Sequence, residues 1–306
     1  MPRVATVGTF DGVHLGHVAI LATVGAVAQE KGMKSCVITF NNHPLSVVAP
    51  GRKPMWAMQR SVSLDYLGCY VDEVIPVDFT AELAAMTASE FMGVLKESYD
   101  VRTIVMGYDN TFGSDRLVAH EDYGRAAAAA GIEVMWVEAE TTGDGRPVSS
   151  SRLRKALSDG DVALARELCG CRPLYSGVVA EGKKLGRKIG FPTMNVRIDE
   201  DVVGLPDGVY ACEVTADGDG GCDAGLLSIS TAPTVDAGLP RVWEIHVPGR
   251  DLGDMYGRRI DFVVDKKLRD IKKFDSLDEL EEAIRKDIAA LRKNENGAAD
   301  LNNIVF

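Results

Sequence analysis

No stretch of this 306-residue chain is apolar over enough length to cross a bilayer, and no basic segment followed by an apolar run opens it. Membrane insertion and secretion are therefore not expected, and a cytoplasmic location is. Cysteine is sparse: Cys36, Cys69, Cys169, Cys171, Cys212 and Cys222 are scattered, and the close pair Cys169 and Cys171 has no histidine beside it. Free thiols in a reducing compartment fit this pattern better than a disulfide framework. Positive charge is short as well. With 34 Lys and Arg against 45 Asp and Glu the net charge is -11, so the basic stripe of a nucleic-acid binder is missing. Anionic ligands must then be met by locally placed Arg, Lys or magnesium. Internal repeats are lacking, and the alanine run Ala126–Ala130 is the one low-complexity stretch. What is present is 46% apolar residues, over a length that suits two domains with separate cores.

Up to about residue 140, short apolar runs alternate with helical periodicity. Val4–Val7, Ser35–Phe40, Glu73–Val77, Thr103–Gly107 and Glu133–Val137 read as strands. Thr87-Ala88-Ser89-Glu90 has the form of a capping box, and the alanine run stops at Gly131 as a helix end does. Such alternation predicts a Rossmann-like α/β domain around a parallel sheet. Ligands of these sheets sit at the carboxyl ends of the strands, where Gly8–His17, Asn41–Pro44, Gly107–Gly113 and Val148–Arg154 all fall.

After about Arg172 the pattern changes. Val178–Ala180, Val209–Val214, Gly225–Ile229, Val242–Val247 and Ile260–Val264 read as strands separated by Gly, Asp and Pro turns. A small antiparallel β-barrel is the expectation. A C-terminal helix opens on a second capping box, Ser276 to Glu279, and runs to about Arg292. The expected domains are 1–172 and 173–293, with 294–306 as a flexible tail.

Two segments carry chemistry. Gly8-Thr9-Phe10-Asp11-Gly12-Val13-His14-Leu15-Gly16-His17 places a glycine turn and two histidines between a strand and a helix start. Free N–H groups and the helix dipole make such a junction an anion site, and histidines three apart share a helical face. A zinc reading would need three or four ligands, and no further His or Cys lies nearby in sequence. Val148-Ser149-Ser150-Ser151-Arg152-Leu153-Arg154 adds hydroxyls and guanidinium groups at a second helix start. These strings resemble the nucleotidyltransferase superfamily, whose His-x-Gly-His element binds ATP phosphates. With Phe10-Asp11-Gly12 the first looks like the bacterial FMN adenylyltransferase (FAD synthetase) branch. Thr39-Phe40-Asn41-Asn42-His43-Pro44 and Gly107-Tyr108-Asp109-Asn110-Thr111-Phe112-Gly113 resemble two more segments of that branch, with Asn110 where an aromatic is usual.

The resemblance implies in-line attack by the FMN phosphate on the α-phosphorus of ATP, with no protein nucleophile. His14 and His17 would contact the transferred group, and Ser149, Ser150 and Arg152 would hold the departing phosphates. Gly8, Thr9, Phe10, Asp11, Gly12 and Asp109 would line the ATP site, and His43 and Asn110 would meet the flavin.

The second strong segment is Gly182-Lys183-Lys184-Leu185-Gly186-Arg187-Lys188-Ile189-Gly190-Phe191-Pro192-Thr193-Met194-Asn195. Its glycines let backbone approach a triphosphate, yet it lacks the Gly-Lys-Ser/Thr ending of a Walker A loop. It is similar to the riboflavin kinase motif. That likeness implies ATP contacts at Gly182, Lys184, Gly186, Arg187, Gly190 and Pro192, and magnesium placed with ATP by Thr193 and Asn195. Glu244 would act as general base on the riboflavin 5′-hydroxyl and Arg269 would meet the flavin. Pro233-Thr234, Glu244-Ile245-His246 and Met255-Tyr256-Gly257 match further, while Ser230 and Val247–Arg250 depart from the pattern.

Both motif sets together resemble those of the bacterial bifunctional riboflavin kinase/FMN adenylyltransferase family. Its substrates would be riboflavin, FMN and ATP, and its products FMN and FAD. Two other readings stay open on the residues alone: a nucleotidyltransferase for another phosphorylated metabolite, and a flavin-binding regulatory module with a lapsed kinase. Oligomeric state is not fixed by the sequence, and a weak homo-oligomer is compatible with it.

Overall fold

Val4, Ala5, Thr6 and Val7 are all buried, as befits a central parallel strand covered on both faces. They belong to β1 (Arg3–Val7), the middle strand of a five-stranded sheet. The computed structural model describes residues 1–182, 186, 189–198, 201–216, 221–231, 241–250 and 254–292. The chain divides into two compact units, Met1–Leu153 and Arg154–Phe306. The expected tail 294–306 and the Pro233-Thr234 match lie outside the described residues.

In the first unit β2 (Lys34–Phe40), β3 (Glu73–Val77), β4 (Val101–Gly107) and β5 (Glu133–Val137) join β1 in the order β3-β2-β1-β4-β5. All pairings are parallel, so the five strands read from the sequence are present, each to within two residues. The order reverses between β1 and β4, which opens a crevice at the carboxyl edge. One face is covered by α1 (Leu15–Lys31), whose buried Leu21, Val24, Val27 and Ala28 recur at helical spacing. The other is covered by α5 (Ala88–Tyr99) and α6 (His120–Ala129), whose Phe91, Met92, Leu95, Tyr123 and Ala127 join the sheet core. The Thr87–Glu90 capping box is formed at the start of α5, and Gly131 follows α6 with φ +68. Shorter helices α2 (Leu45–Val48), α3 (Arg60–Gly68) and α4 (Ala81–Ala85) flank the crevice side. β3 is an edge strand, and it carries the exposed Pro76.

α7 (Ser150–Asp159) and α8 (Val162–Cys169) precede the barrel. Its strands are β6 (Leu174–Ala180), β7 (Met194–Arg197), β8 (Gly208–Ala216), β9 (Cys222–Ser230), β10 (Val242–His246) and β11 (Arg259–Arg269). They close in the order β10-β7-β6-β11-β8-β9 with every pair antiparallel. Tyr175, Trp243 and Phe262 pack ring to ring inside. α9 (Leu277–Arg292) lies on the outer wall, where Ile284, Ile288 and Leu291 meet Val209, Ala211 and Leu226. The capping box expected there is half formed. Ser276 Oγ accepts from Glu279 N–H at 3.2 Å, but the Glu279 carboxylate reaches Asp275 N–H instead of that of Ser276. β7 was not expected from the sequence.

Tyr123 ties the fold to the crevice. Its hydroxyl donates to Phe112 O at 2.8 Å and accepts from Phe112 N–H at 2.9 Å, pinning the loop after β4. Tyr123→Phe leaves both backbone groups unpaired, so a loss of about 1–3 kcal/mol is expected in denaturant unfolding of the first unit. An unchanged midpoint would show that the loop is held elsewhere.

Candidate active sites

The turn after β1 is strained. Phe10, Gly12 and Val13 have φ of 49, 86 and 36, a region that β-branched residues such as valine rarely adopt. A Cβ on Gly12 would lie 2.3 Å from Leu153 Cδ2 and 3.2 Å from Ala57 Cβ, so only glycine fits. The turn delivers His14 as the N-cap of α1, with its Nδ1 accepting from His17 N–H at 3.3 Å. The His14 and His17 rings stack at 3.6 Å, and Phe10 packs on His17 at 4.9 Å. Burial, and then the neighbouring His14, push the His17 pKa well below its usual range, so it is neutral near pH 7. His17 Nδ1 is buried without a hydrogen-bond partner among the described residues. A neutral imidazole with an unmet polar atom beside a helix N-terminus fits an anionic ligand.

Other expected residues of this site take varied positions. Thr9 O accepts from Thr39 Oγ1 at 3.3 Å, and Gly8 N–H donates to Ile38 O. The Asp11 carboxylate is buried and accepts from Ala57 N–H at 2.7 Å, while Asp11 O accepts from the Ser150 hydroxyl at 2.8 Å. Ser149 Oγ accepts from Arg152 N–H at 3.3 Å, capping α7. Arg152 does not extend toward the turn. Its guanidinium is turned onto the segment Thr142–Pro147, against three oxygens there and the Asp144 carboxylate. Asp109 is exposed after β4.

Asn110 bridges the crevice, donating from Nδ2 to Val7 O at 2.9 Å. It also lines a cavity of about 330 Å³ whose walls include Phe40, Pro44, Phe79, Met86, Phe91 and Phe112. A mostly apolar cavity with Asn110, Thr9 and Thr111 as polar members suits a flat heteroaromatic ring. His43 is not among its lining residues; its ring lies 5.0 Å from Trp56 and its Nδ1 accepts from Leu45 N–H.

On the barrel, cross-strand register gathers the second set. Glu244 is directly opposite Asn195 on one side and Ser228 on the other, and Asn195 is opposite Ala180. The neighbouring row, Val196, Trp243 and Ile229, is the buried interior. Glu244 and Asn195 therefore share the outer wall. A Cβ on Gly182 would lie 1.9 Å from Asn195 Nδ2, so the chain passes flush over that amide. A Cβ on Gly186 would lie 2.3 Å from Phe191 O, which makes a second close approach. Gly190, with φ +79, Pro192 and Thr193 line a cavity of about 660 Å³ with His246, Arg250, Asp254 and Tyr256. Glu244 and Asn195 are not among its lining residues. His246 Nδ1 lies 2.8 Å from Pro192 O, fixing this loop to β10. Arg269 is engaged elsewhere, in an ion pair with Asp287 of α9 at 2.9 Å. Lys184 and Arg187 lie outside the described residues.

Magnesium can be tested against these donors. Thr193 and Asn195 offer neutral oxygens, and among the described residues no cluster of three His, Cys, Asp or Glu could hold a metal ion. That set suits a cation arriving with a triphosphate and keeping several waters.

Sequence reasoning passed over several residues that build these sites. Arg60 is buried, with Nη2 on Thr39 Oγ1 at 2.9 Å, and supports the β2 edge of the crevice. The Thr141–Pro147 bridge was also missed, though Gly143-Asp144-Gly145 is a turn signal. The cavity-wall residues Phe79, Leu83, Met86 and Phe91 belong to no ligand-binding motif and had no signal beyond apolarity.

Comparison with known proteins agrees with both halves. Residues 1–152 match the FAD synthetase family and residues 170–294 the riboflavin kinase family. The bifunctional riboflavin kinase/FMN adenylyltransferase of Escherichia coli (strain K12) is 36% identical, covering 95% of this chain and 92% of that protein. The enzyme of that name from Pseudomonas fluorescens is 37% identical over 94% and 92%. A crystal structure described as a macrolide-efflux protein from Streptococcus pneumoniae is 28% identical, covers 95% of this chain and 94% of its own, and has a TM-score of 0.84. With each half matched to one of the two activities and full-length relatives carrying both, the chain belongs to the bifunctional riboflavin kinase/FMN adenylyltransferase family of flavin cofactor synthesis.

Proposed function

We propose that residues 1–172 adenylylate FMN at the crevice of the parallel sheet and residues 173–293 phosphorylate riboflavin on the barrel wall. One observation supports the first half most: a stacked histidine pair, with His17 neutral, sits at a strained strand-to-helix turn beside an aromatic-walled cavity. The FMN phosphate attacks the α-phosphorus of ATP in line, a bond to that phosphorus forms, and pyrophosphate leaves. His14 and His17 donate hydrogen bonds to the transferred group as its charge builds, and the start of α7 meets the departing phosphates. The cavity lined by Asn110 takes the isoalloxazine ring.

In the second reaction Glu244 accepts the proton of the riboflavin 5′-hydroxyl as the γ-phosphoryl group moves to that oxygen and ADP leaves. Asn195, directly opposite on β7, and Thr193 orient the nucleotide and its cation. Magnesium, when bound with ATP, would neutralise charge on the phosphates. The reading includes a cytoplasmic location; no described helix is long and apolar enough to cross a membrane.

Three variants separate the two sites. Glu244→Gln is expected to lower FMN formation from riboflavin by about 10²–10⁴, with conversion of supplied FMN to FAD intact. Equal loss of both in a folded protein would remove Glu244 from its role. His17→Ala is expected to do the reverse, with turnover of FMN adenylylation falling on the order of 10²–10³ and riboflavin accumulating as FMN. A raised KM for ATP at constant turnover would make His17 a ground-state ligand only. Gly182→Ala drives a methyl into Asn195, so phosphorylation is expected to fail while adenylylation persists. Wild-type phosphorylation in that variant would show that the loop does not need its contact with Asn195.

A further inference from the structure

Arg152, near the crevice, has closely defined polar surroundings. Its Nη1 lies 2.7 Å from Pro147 O, 2.9 Å from Arg146 O and 3.0 Å from Thr142 Oγ1, and Nη2 lies 3.2 Å from Asp144 Oδ2. The side chain is only 19% exposed. Asp144 is held from the other side as well: Thr142 Oγ1 donates to Oδ1 at 2.5 Å, Arg146 N–H to Oδ1 at 3.0 Å, and Arg146 Nε to Oδ2 at 2.6 Å. These bonds hold the Asp144 carboxyl well below the usual carboxylate range. The segment is a small hairpin closed by the Thr141–Pro147 bridge and by Thr142 N–H on Arg146 O. It runs directly into α7, whose Ser149 caps the helix, whose Ser150 bonds Asp11 O, and whose Leu153 packs under Gly12.

A phosphate oxygen approaching Arg152 Nη1 would have to displace two carbonyls and a hydroxyl, and one approaching Nη2 would meet the Asp144 carboxylate. We propose that Arg152 is a positioning residue for adenylyl transfer: with Asp144 it clasps the Thr141–Pro147 hairpin onto the first turn of α7, and so sets Ser149, Ser150 and the glycine turn in register. It does not bind phosphate itself. The proposal rests on the adenylyltransferase reading of the crevice.

A direct ligand and a clasp differ in what Asp144 does. A ligand role makes Asp144 a restraint whose removal frees Arg152 and leaves or improves activity. A clasp makes the two residues equivalent. The test is steady-state FMN adenylylation by full-length Asp144→Asn, Arg152→Ala, Arg152→Lys and the Asp144→Asn/Arg152→Ala double variant, with riboflavin phosphorylation measured in the same preparations. Both Asp144→Asn and Arg152→Ala are expected to lose turnover by about 10- to 100-fold, the scale of a small misplacement of reacting groups. KM for ATP should change much less. The double variant should be no worse than the poorer single one. Arg152→Lys should recover only part, because an ammonium lacks the planar fork. Unchanged phosphorylation shows that the barrel unit is intact, and an unchanged circular dichroism spectrum and denaturant-unfolding midpoint show that the first unit is folded. Wild-type adenylylation in Asp144→Asn, or a raised KM for ATP at constant turnover in Arg152→Ala, overturns the clasp. If His17→Ala keeps full adenylylation, the site assignment itself falls, and the clasp with it.

Discussion

The first unit depends on one constraint: the chain must pass from β1 to α1 through a turn that L-residues resist. Non-glycine residues in the left-handed region cost of order 1–3 kcal/mol each, and here Phe10 and Val13 both adopt it. The surroundings hold them there. Both side chains are buried, the Asp11 carboxylate is spent on Ala57 N–H, and Ser150 fastens Asp11 O. Gly12 fills a gap with no room for a methyl. The outcome is an α1 N-terminus at the point where the sheet order reverses, capped by a histidine rather than by Ser or Asp. An imidazole cap puts no negative charge at the helix end, where a carboxylate cap would repel an anion.

Neither site relies on a broad positive field, which a net charge of -11 would not supply. The crevice offers a stacked histidine pair, with His17 neutral, and two helix starts. The barrel offers a carboxylate and an amide side by side on its outer wall, near glycines that bring backbone close. In both, the groups are fixed by backbone register or by buried hydrogen bonds before ligand arrives. Preorganisation of this kind lowers the reorganisation needed as charge develops. The wall that carries Glu244 also carries α9, anchored by the Arg269–Asp287 pair. Arg269, expected at the flavin, is therefore held in the packing of that helix.

Most of the fold was legible because its strands are continuous apolar runs between turn residues. β7 was not, since Met194–Arg197 is short and alternates with polar residues inside a segment that reads as a phosphate loop. Its strand character comes from pairing with β6 and β10, which no local pattern encodes. The glycine and histidine positions of the crevice were legible from the motif, because backbone needs dictate residue type there. Side-chain direction was not. Arg152 stands at a helix start among serines, where a phosphate contact is the natural reading, but the Gly143-Asp144-Gly145 turn brings a carboxylate to it first. Likewise Asp11 turns inward to a backbone amide, a choice set by tertiary contact with Ala57.

Pro76 has a consequence for how copies of this chain meet one another. A closed barrel exposes no unpaired strand edge, whereas an open sheet presents two. On β3, proline removes one donor from the outward row, and a neighbouring strand that tried to extend the sheet there would meet a gap in its ladder. Crowded copies are thereby discouraged from stacking into continuous β-structure along that side. Any such misassembly of the folded unit falls to the β5 side, whose first residue, Glu133, brings a charged side chain to that edge in an ion pair with Lys31.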